Sequence, residues 1–351
     1  MLRWFPAVLI AAGVAFDLAT PSQYTGDPLF AAACVLVGAT QGWRATVLTA
    51  LLSVVAMAAL SAGEGEVTHH RGIADVSSVA FAGLIALGVN RALSVYGRRL
   101  ATVRSVAEAA QRALLPDPPH RLGPLSIAAR YDAASSEARI GGDIYAAQAT
   151  PYGIRLLIGD VRGKGTGAIG AVAVLLGAFR EAADDEPDLP RLARRLDRAL
   201  ERHKGQAGEE ARLEGFTTGL LVEYADDGGT LRMVNRGHPP PYLIAPDGAV
   251  RALEPATPAL PFGLDGLGGV DGEPDAVEIP HGATLLLVTD GVTESRNQAG
   301  DFYDPQVRLP PLGPQRTARQ VVEALRRDLD VWTAHSRSSK DDRAVLAVRR
   351  D

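Results

Sequence analysis

At 351 residues the chain is too long for one average domain and points to two or three units. Its net charge of −5, with no basic stripe interleaved with aromatics, argues against a nucleic-acid binder. The single cysteine, Cys34, sits in an apolar run, so neither a disulfide framework nor a thiolate metal site is available; it reads as a small apolar side chain.

The charges are unevenly spread. Arg44 is the only charged residue between Pro28 and Leu60, and Asp75 the only one between Gly72 and Asn90. Four apolar stretches predict membrane-spanning helices of roughly 17–25 residues: Trp4 to Thr20, Pro28 to Gln41, Ala45 to Ala62 and Ile73 to Leu93. The second is short and borrows flanking residues. A cleaved signal peptide competes for the first stretch and is set aside because three more apolar runs follow. Arg3, Arg44, Arg91, Arg98, Arg99 and Arg104 fall on one side of the four spans, which assigns that side, and the rest of the chain, to the cytoplasm. Glu64, Glu66, His69 and His70 on the other side read as a polar solvated loop in preference to a metal or pH-sensing site.

The fourth span runs on into "RALSVYGRRLATVRSVAEAAQRALLP". Leu93, Tyr96, Leu100, Val103, Ala107, Ala110 and Leu114 repeat at alternating spacings of three and four, a heptad seam. A homodimer through residues 93–114 is one reading, and an amphipathic helix packed on its own domain is the other. Breaker-rich "PDPPHRLGP" then marks a boundary. The organisation expected is a four-helix transmembrane domain at 1–93, a linker helix at 94–118 and a soluble domain at 119–351.

From Leu125 the pattern changes to short apolar strands with helices. Strands are expected at Leu125–Tyr131, Thr217–Tyr224, Thr230–Val234, Tyr242–Ile244 and Ala344–Val348, and helices at Gly167–Ala183, Leu189–His203 and Arg316–Trp332. Short connections between successive strands imply largely antiparallel sheets. "LLIGDVRGKGTGAIG" (Leu156 to Gly170) has the outline of a phosphate-binding loop but not its chemistry. Three residues, not four, separate Gly159 from Gly163, Lys164 is followed by Gly165 where a Ser or Thr is needed, and Asp160 occupies the anion's place. Asp160 and Asp290 each end a near-continuous apolar strand, Asp143 follows two glycines at the start of another, and Asp341 and Asp342 lead into the last. Each alone reads as a turn residue. Together they would repel one another unless a hard, oxygen-seeking divalent cation removed the cost.

"RIGGDIY", "LLIGDVRGKGTGA", "MVNRGHPPPYLI", "LLLVTDGVTESRN" and "DDRAVLAV" occur in that order, and with them residues 120–351 resemble the metal-dependent PPM (protein phosphatase 2C-type) serine/threonine phosphatases, in the bacterial stage II sporulation protein E branch. The resemblance implies an α+β fold, an antiparallel β-sandwich flanked by helices (α-β-β-α), with two Mn²⁺ or Mg²⁺ ions at one edge. It implies that Asp160 bridges both ions, that the Val161 carbonyl helps hold one, and that Asp290 is a ligand. Of Asp341 and Asp342 it favours the first as the direct ligand, and it has Asp143 act through a metal-bound water. Asp143, Asp160 and Asp290 are the catalytic set so implied, and the reaction is in-line attack on phosphorus by an activated water. Lys164 is a candidate contact for substrate phosphate. His238 is read as a turn residue more than an acid, and Glu294 as shaping the site without ligating.

The sequence departs from the family at Ile144, where Phe is usual, at Ala146, where an acid is common, at Arg162, where a small Ser is common, and at Ala344, where Thr is usual. None of these removes a proposed ligand. The implied substrate is a phosphorylated regulatory protein, an antagonist of an anti-sigma factor, and the implied location is the cell membrane with the phosphatase domain inside. Two other readings compete. A Mg-dependent nucleotide-processing enzyme would need base- or ribose-reading elements that are not apparent. A non-catalytic membrane-tethered phosphoprotein scaffold would have no use for the aspartate set.

Overall fold

The computed structural model describes residues 4–20, 25–63, 70–115, 117–132, 141–163, 166–206, 215–225, 229–264, 273–336 and 341–351. The chain divides into two compact units, Met1–Val103 and Arg104–Asp351.

The first unit holds α1 (Phe5–Ala19), α2 (Asp27–Thr40), α3 (Trp43–Gly63) and the first part of α4 (His70–Leu114). Proline in the first turn of α1 and α2 suits positions whose N–H has no intrahelical partner. Phe30, Met57 and Val79 form its core. Gly38 of α2 lets the backbone of α4 approach at Ala86, where a Cβ would meet the Ala86 carbonyl oxygen at 2.6 Å. One turn on, buried Asn90 donates to the carbonyls of Gly38 (3.0 Å) and Gln41 (2.7 Å), occupying acceptors that the end of α2 leaves open. The outward faces carry Leu48, Leu51, Leu52, Val55, Phe81, Leu84 and Ile85, all exposed. Two stretches, Trp43–Gly63 and Gly72–Arg98, are long and apolar enough to cross a membrane. The first two helices, of 15 and 14 residues, fall short of the roughly 20 a full span requires. Helix α4 runs unbroken to Leu114; Leu93 and Tyr96 on its seam are exposed. The seam side chains from Leu100 to Leu114, the residues Glu64, Glu66 and His69, and the His70 side chain lie outside what is described.

The second unit is built on two antiparallel sheets. One has the order β1 (Arg121–Leu122), β2 (Leu125–Asp132), β11 (Arg343–Arg350), β10 (Thr284–Val288), β7 (Tyr242–Ile244), β8 (Val250–Ala252). The other runs β3 (Asp143–Thr150), β4 (Gly153–Val161), β5 (Thr217–Tyr224), β6 (Thr230–Arg236), β9 (Asp275–Glu278). Alternate residues of the central strands, among them Leu156, Ile158, Leu220 and Val222 on one side and Leu285, Leu287, Leu346 and Val348 on the other, meet between the sheets. Their opposite faces are covered in turn. Helices α5 (Thr166–Asp185) and α6 (Leu189–Gln206) pack Leu175, Phe179, Leu192 and Leu196 on the second sheet. Helix α9 (Ala318–Thr333), whose seven buried residues fall on one stripe, covers the first sheet through Val321, Val322, Leu325 and Leu329. The four layers are the α-β-β-α arrangement expected. Strands covered on both faces read as continuous apolar runs, which is why "LLIGD" and "TLLLV" stand out in the sequence.

Several other elements end a few residues from the expected bounds, and three larger differences stand out. Strands β1, β8 and β9 were not anticipated; they are two to four residues long with exposed positions, so they carry no apolar signature. The strand before Asp290 stops at Val288, and Asp290 opens a one-turn helix, α7 (Asp290–Thr293), followed by a second one-turn helix, α8 (Pro305–Arg308). The last strand begins one residue earlier and ends two later than its apolar centre, because pairing with β2 continues through the arginines that flank it.

Candidate active site

In the ladder of β3 and β4, Asp143 stands opposite Asp160, and in the ladder of β4 and β5, Asp160 stands opposite Thr218. These three residues form a row across the second sheet at the open end of the sandwich. β10 ends and β11 begins at this same end of the first sheet, with Val288 opposite Val345. Asp290 therefore leaves the first sheet, and Asp341 and Asp342 enter it, beside the row. The join between the sheets is explicit: the Thr289 hydroxyl donates to Asp143 Oδ2 (3.0 Å) while accepting from the Ala344 N–H (2.9 Å).

Glycines set how closely these groups approach. A Cβ on Gly142 would collide with the Val161 carbonyl oxygen and lie 2.7 Å from Asp160 Oδ1; one on Gly141 would collide with Asp342 Oδ2; one on Gly291 would collide with the Asp342 carbonyl oxygen. The "GGD" and "DG" spellings are thus a packing requirement, since any side chain would push the acidic residues apart. The Val161 N–H also donates to the Gly142 carbonyl (3.0 Å), tying the end of β4 to the start of β3.

The electrostatics match the geometry. Asp143 is 2% exposed. Burial, then the charge of Asp160, holds its carboxyl well above the ordinary carboxylate range; the Thr289 hydroxyl opposes this, and the charges of Asp342 and Asp290 add to it. Burial also raises Asp290, with Glu294 and then Asp341 contributing and the Gly291 N–H opposing. Asp143 therefore senses Asp342, while the exposed Asp341 acts on Asp290. Among the described residues no three Asp, Glu, His or Cys side chains already converge on a single ligating point. Carboxylates brought this near repel one another. The donor set is carboxylate and carbonyl oxygen throughout, in a cradle that added carbon atoms would fill, and it fits hard divalent cations.

The other sequence candidates divide. Lys164 lies outside the described residues. Glu294 is exposed, acting on Asp290 by charge. His238 is buried; its Nδ1 lies 3.1 Å from Thr218 Oγ1, and its backbone N–H donates to Asn235 Oδ1 (2.8 Å), which fixes the turn after β6. Burial lowers its pKa from 6.5 to about 3, the Val288 carbonyl offsetting part of the effect, so the ring is neutral. Thr289 was not singled out from the sequence. A threonine immediately before the aspartate of "TDG" was the available signal, but its role depends on the second sheet.

The family model for stage II sporulation protein E (SpoIIE) matches residues 150–351. Among solved structures, the RsbU and RsbW domains of Rv1364c from Mycobacterium tuberculosis are 25% identical, over 64% of this chain and 60% of that one, with a TM-score of 0.51. The SiaA PP2C domain of Pseudomonas aeruginosa is 19% identical, over 73% of this chain and 99% of that one, with a TM-score of 0.58. The PP2C phosphatase domain of SpoIIE from Bacillus subtilis, with a fragment of its regulatory domain, is 16% identical, over 64% of this chain and 62% of that one, with a TM-score of 0.51. The chain thus spans about three fifths of the first and third of these. The fold shared with the last two is PP2C-like.

Proposed function

The chain belongs to the stage II sporulation protein E family, and on that premise we propose that it is a membrane-anchored, metal-dependent protein serine/threonine phosphatase acting on a phosphorylated regulatory protein. The observation that carries this reading is the meeting of Asp143, Asp160, Asp290 and Asp342 at one end of the sandwich, where the charges acting on Asp143 and Asp290 are those of other acids. In this reading Asp160, the Val161 carbonyl, Asp290 and the Asp341–Asp342 pair hold two Mn²⁺ or Mg²⁺ ions, with Asp143 behind them. Bound there, such a pair supplies a reactive water at neutral pH and neutralises phosphoryl charge. The chain's own part is positional. Thr289 fixes the orientation of Asp143, the Gly141–Gly142 backbone keeps Asp160 and Asp342 close, and His238 holds Thr218 beside Asp160 as a neighbour that is neutral at neutral pH.

Four spans, with the phosphatase domain in the cytoplasm, are proposed for the first unit: α3 and the start of α4 are long enough by themselves, α1 and α2 would cross only with their flanking residues, and the exposed apolar faces and the distribution of arginines support this. A homodimer through residues 93–114, beginning at exposed Leu93 and Tyr96, and a substrate in an anti-sigma pathway belong to the same reading. Rv1364c, whose solved structure joins RsbU and RsbW domains, supports a pathway of that kind. The test is phosphate release by the full chain in detergent from an aryl phosphate and from phosphoserine proteins. Release that needs Mn²⁺ or Mg²⁺ and stops with EDTA is expected; ATP as the only substrate turned over, or no release at all, would overturn the reading.

A further inference from the structure

We propose that Arg162 is a substrate-binding residue whose guanidinium takes oxygens of the phosphoryl group presented to the aspartate row. The proposal deepens the phosphatase reading and rests on it for the identity of the ligand.

The argument starts from register. Asp160 lies opposite Thr218 and Val161 opposite Thr217. The Arg162 N–H then donates to the Phe216 carbonyl (2.9 Å), which continues the ladder by one more pair beyond the strand proper. Cross-strand partners share a face of the sheet, and so do residues two apart. Arg162 and Phe216 therefore stand on the face that carries Asp160 and Thr218, one row further out, at about 6.5–7 Å along the strand. An extended arginine covers that interval, so its head group can reach whatever docks over Asp160.

The state of the side chain is the second observation. Arg162 is exposed, and its guanidinium carbon lies 4.9 Å from the centroid of the Phe216 ring. Among the described residues it makes no salt bridge, whereas Arg155, Arg236 and Arg308 are each bonded to a carboxylate at 2.6–2.8 Å. Stacking orients the planar fork and leaves its in-plane N–H donors open, in the arrangement that suits bidentate contact with a phosphate. A phosphate monoester approaching five aspartates needs positive charge along its path. The metal-holding residues supply a place for that charge beneath the phosphoryl group, and Arg162 supplies it at the rim. A serine here would reach neither the ring nor the ligand.

Three measurements on the full chain in detergent, with Mn²⁺, test this: calorimetric binding of inorganic phosphate, and steady-state kinetics on an aryl phosphate and on a phosphoserine protein. Arg162→Ser is expected to weaken phosphate binding about tenfold and to raise KM for both substrates similarly, the loss of one charge-assisted contact. Arg162→Lys, which keeps the charge without the fork, is expected to fall between. Unchanged phosphate affinity with an unchanged aryl phosphate KM overturns the proposal, and this includes the case where only the protein substrate is affected, which would make Arg162 a reader of residues flanking the phosphoserine. If the wild-type chain turns over neither substrate yet binds phosphate in an Arg162-dependent way, the phosphatase reading fails and this site stands. Normal turnover and phosphate binding in Arg162→Ser gives the opposite result. A wild-type chain that shows neither turnover nor phosphate binding removes both.

Discussion

Two sets of buried acids in the second unit differ in one respect. Between the second sheet and its covering helices, Glu223 of β5 and Asp197 of α6 are 4% and 2% exposed and each meets a buried arginine: Arg155 bonds Glu223 at 2.6 Å, and Arg236 bonds Asp197 at 2.8 Å. These pairs are also tied into backbone. Arg155 donates to the carbonyls of Ala183 and Glu186 at the end of α5, and Asp197 accepts from the Gly263 N–H. At the open end of the sandwich, Asp143 is equally buried, but its charged neighbours are Asp160, Asp342 and Asp290. The contrast separates acids that hold the fold from acids for which we propose a ligand. A partnered buried acid is costly to break and cheap to replace whole, whereas a buried acid facing other acids costs stability by its presence and is kept for what it binds.

The contrast can be broken in four places, taken in order of expected size. Arg155→Met leaves Glu223 charged and buried, with the half-exposed Arg232 at 3.2 Å; denaturant unfolding should show a loss of about 3–5 kcal/mol, most of it recovered in the Arg155→Met/Glu223→Leu double variant. If the single change is neutral, the pair is not structural. Asp160→Asn should lower phosphatase turnover by more than about 100-fold, since even partners behind metal ligands cost 10–100-fold, with the melting temperature maintained. A simultaneous collapse of the fold would place Asp160 with Glu223 instead. Third comes pH. His238 has a folded pKa of about 3 against 6.5 unfolded, so its contribution is fully present above pH 6.5 and is lost as pH falls toward 3. The slope is about 1.4 kcal/mol per pH unit, or roughly 2 kcal/mol between pH 6.5 and 5. The His238→Gln variant should show a flatter profile, and an identical slope would refute the assignment. The smallest effect has the opposite sign: without added metal, Asp143→Asn should stabilise the protein by about 0.5–1 kcal/mol while impairing metal-dependent turnover. Because burial and Asp160 raise the Asp143 pKa, metal-free stability should fall as pH rises above about 3.8, and the variant should lose part of that fall. Equal melting curves for variant and parent across pH would remove the distinction drawn above.

Much of this was readable from the chain. Thr217–Tyr224 and Tyr242–Ile244 have the predicted bounds, because continuous apolar runs between turn residues leave little choice of ending. Helix α9 was expected within two residues of its observed bounds. Edge strand β9, "DAVE", was not visible, since alternate residues face solvent and only pairing with β6 makes it a strand. The aspartates could be identified as unusual by their places at strand ends beside glycine. Their convergence could not be derived from spacing, because Asp143 and Asp290 are 147 positions apart and meet only through the packing of two sheets.

The sequence alone determined the apolar first unit, the long helix after it, most of the strands and the identities of the acids, because these follow from local hydrophobic period and from residue chemistry. Tertiary structure decided which acids are partnered. Arg155 finds Glu223 only through the register of β4 against β5, and Thr289 finds Asp143 only across the sandwich. Pairing across strands and sheets depends on long-range register, and no local pattern encodes that register without the fold that fixes it.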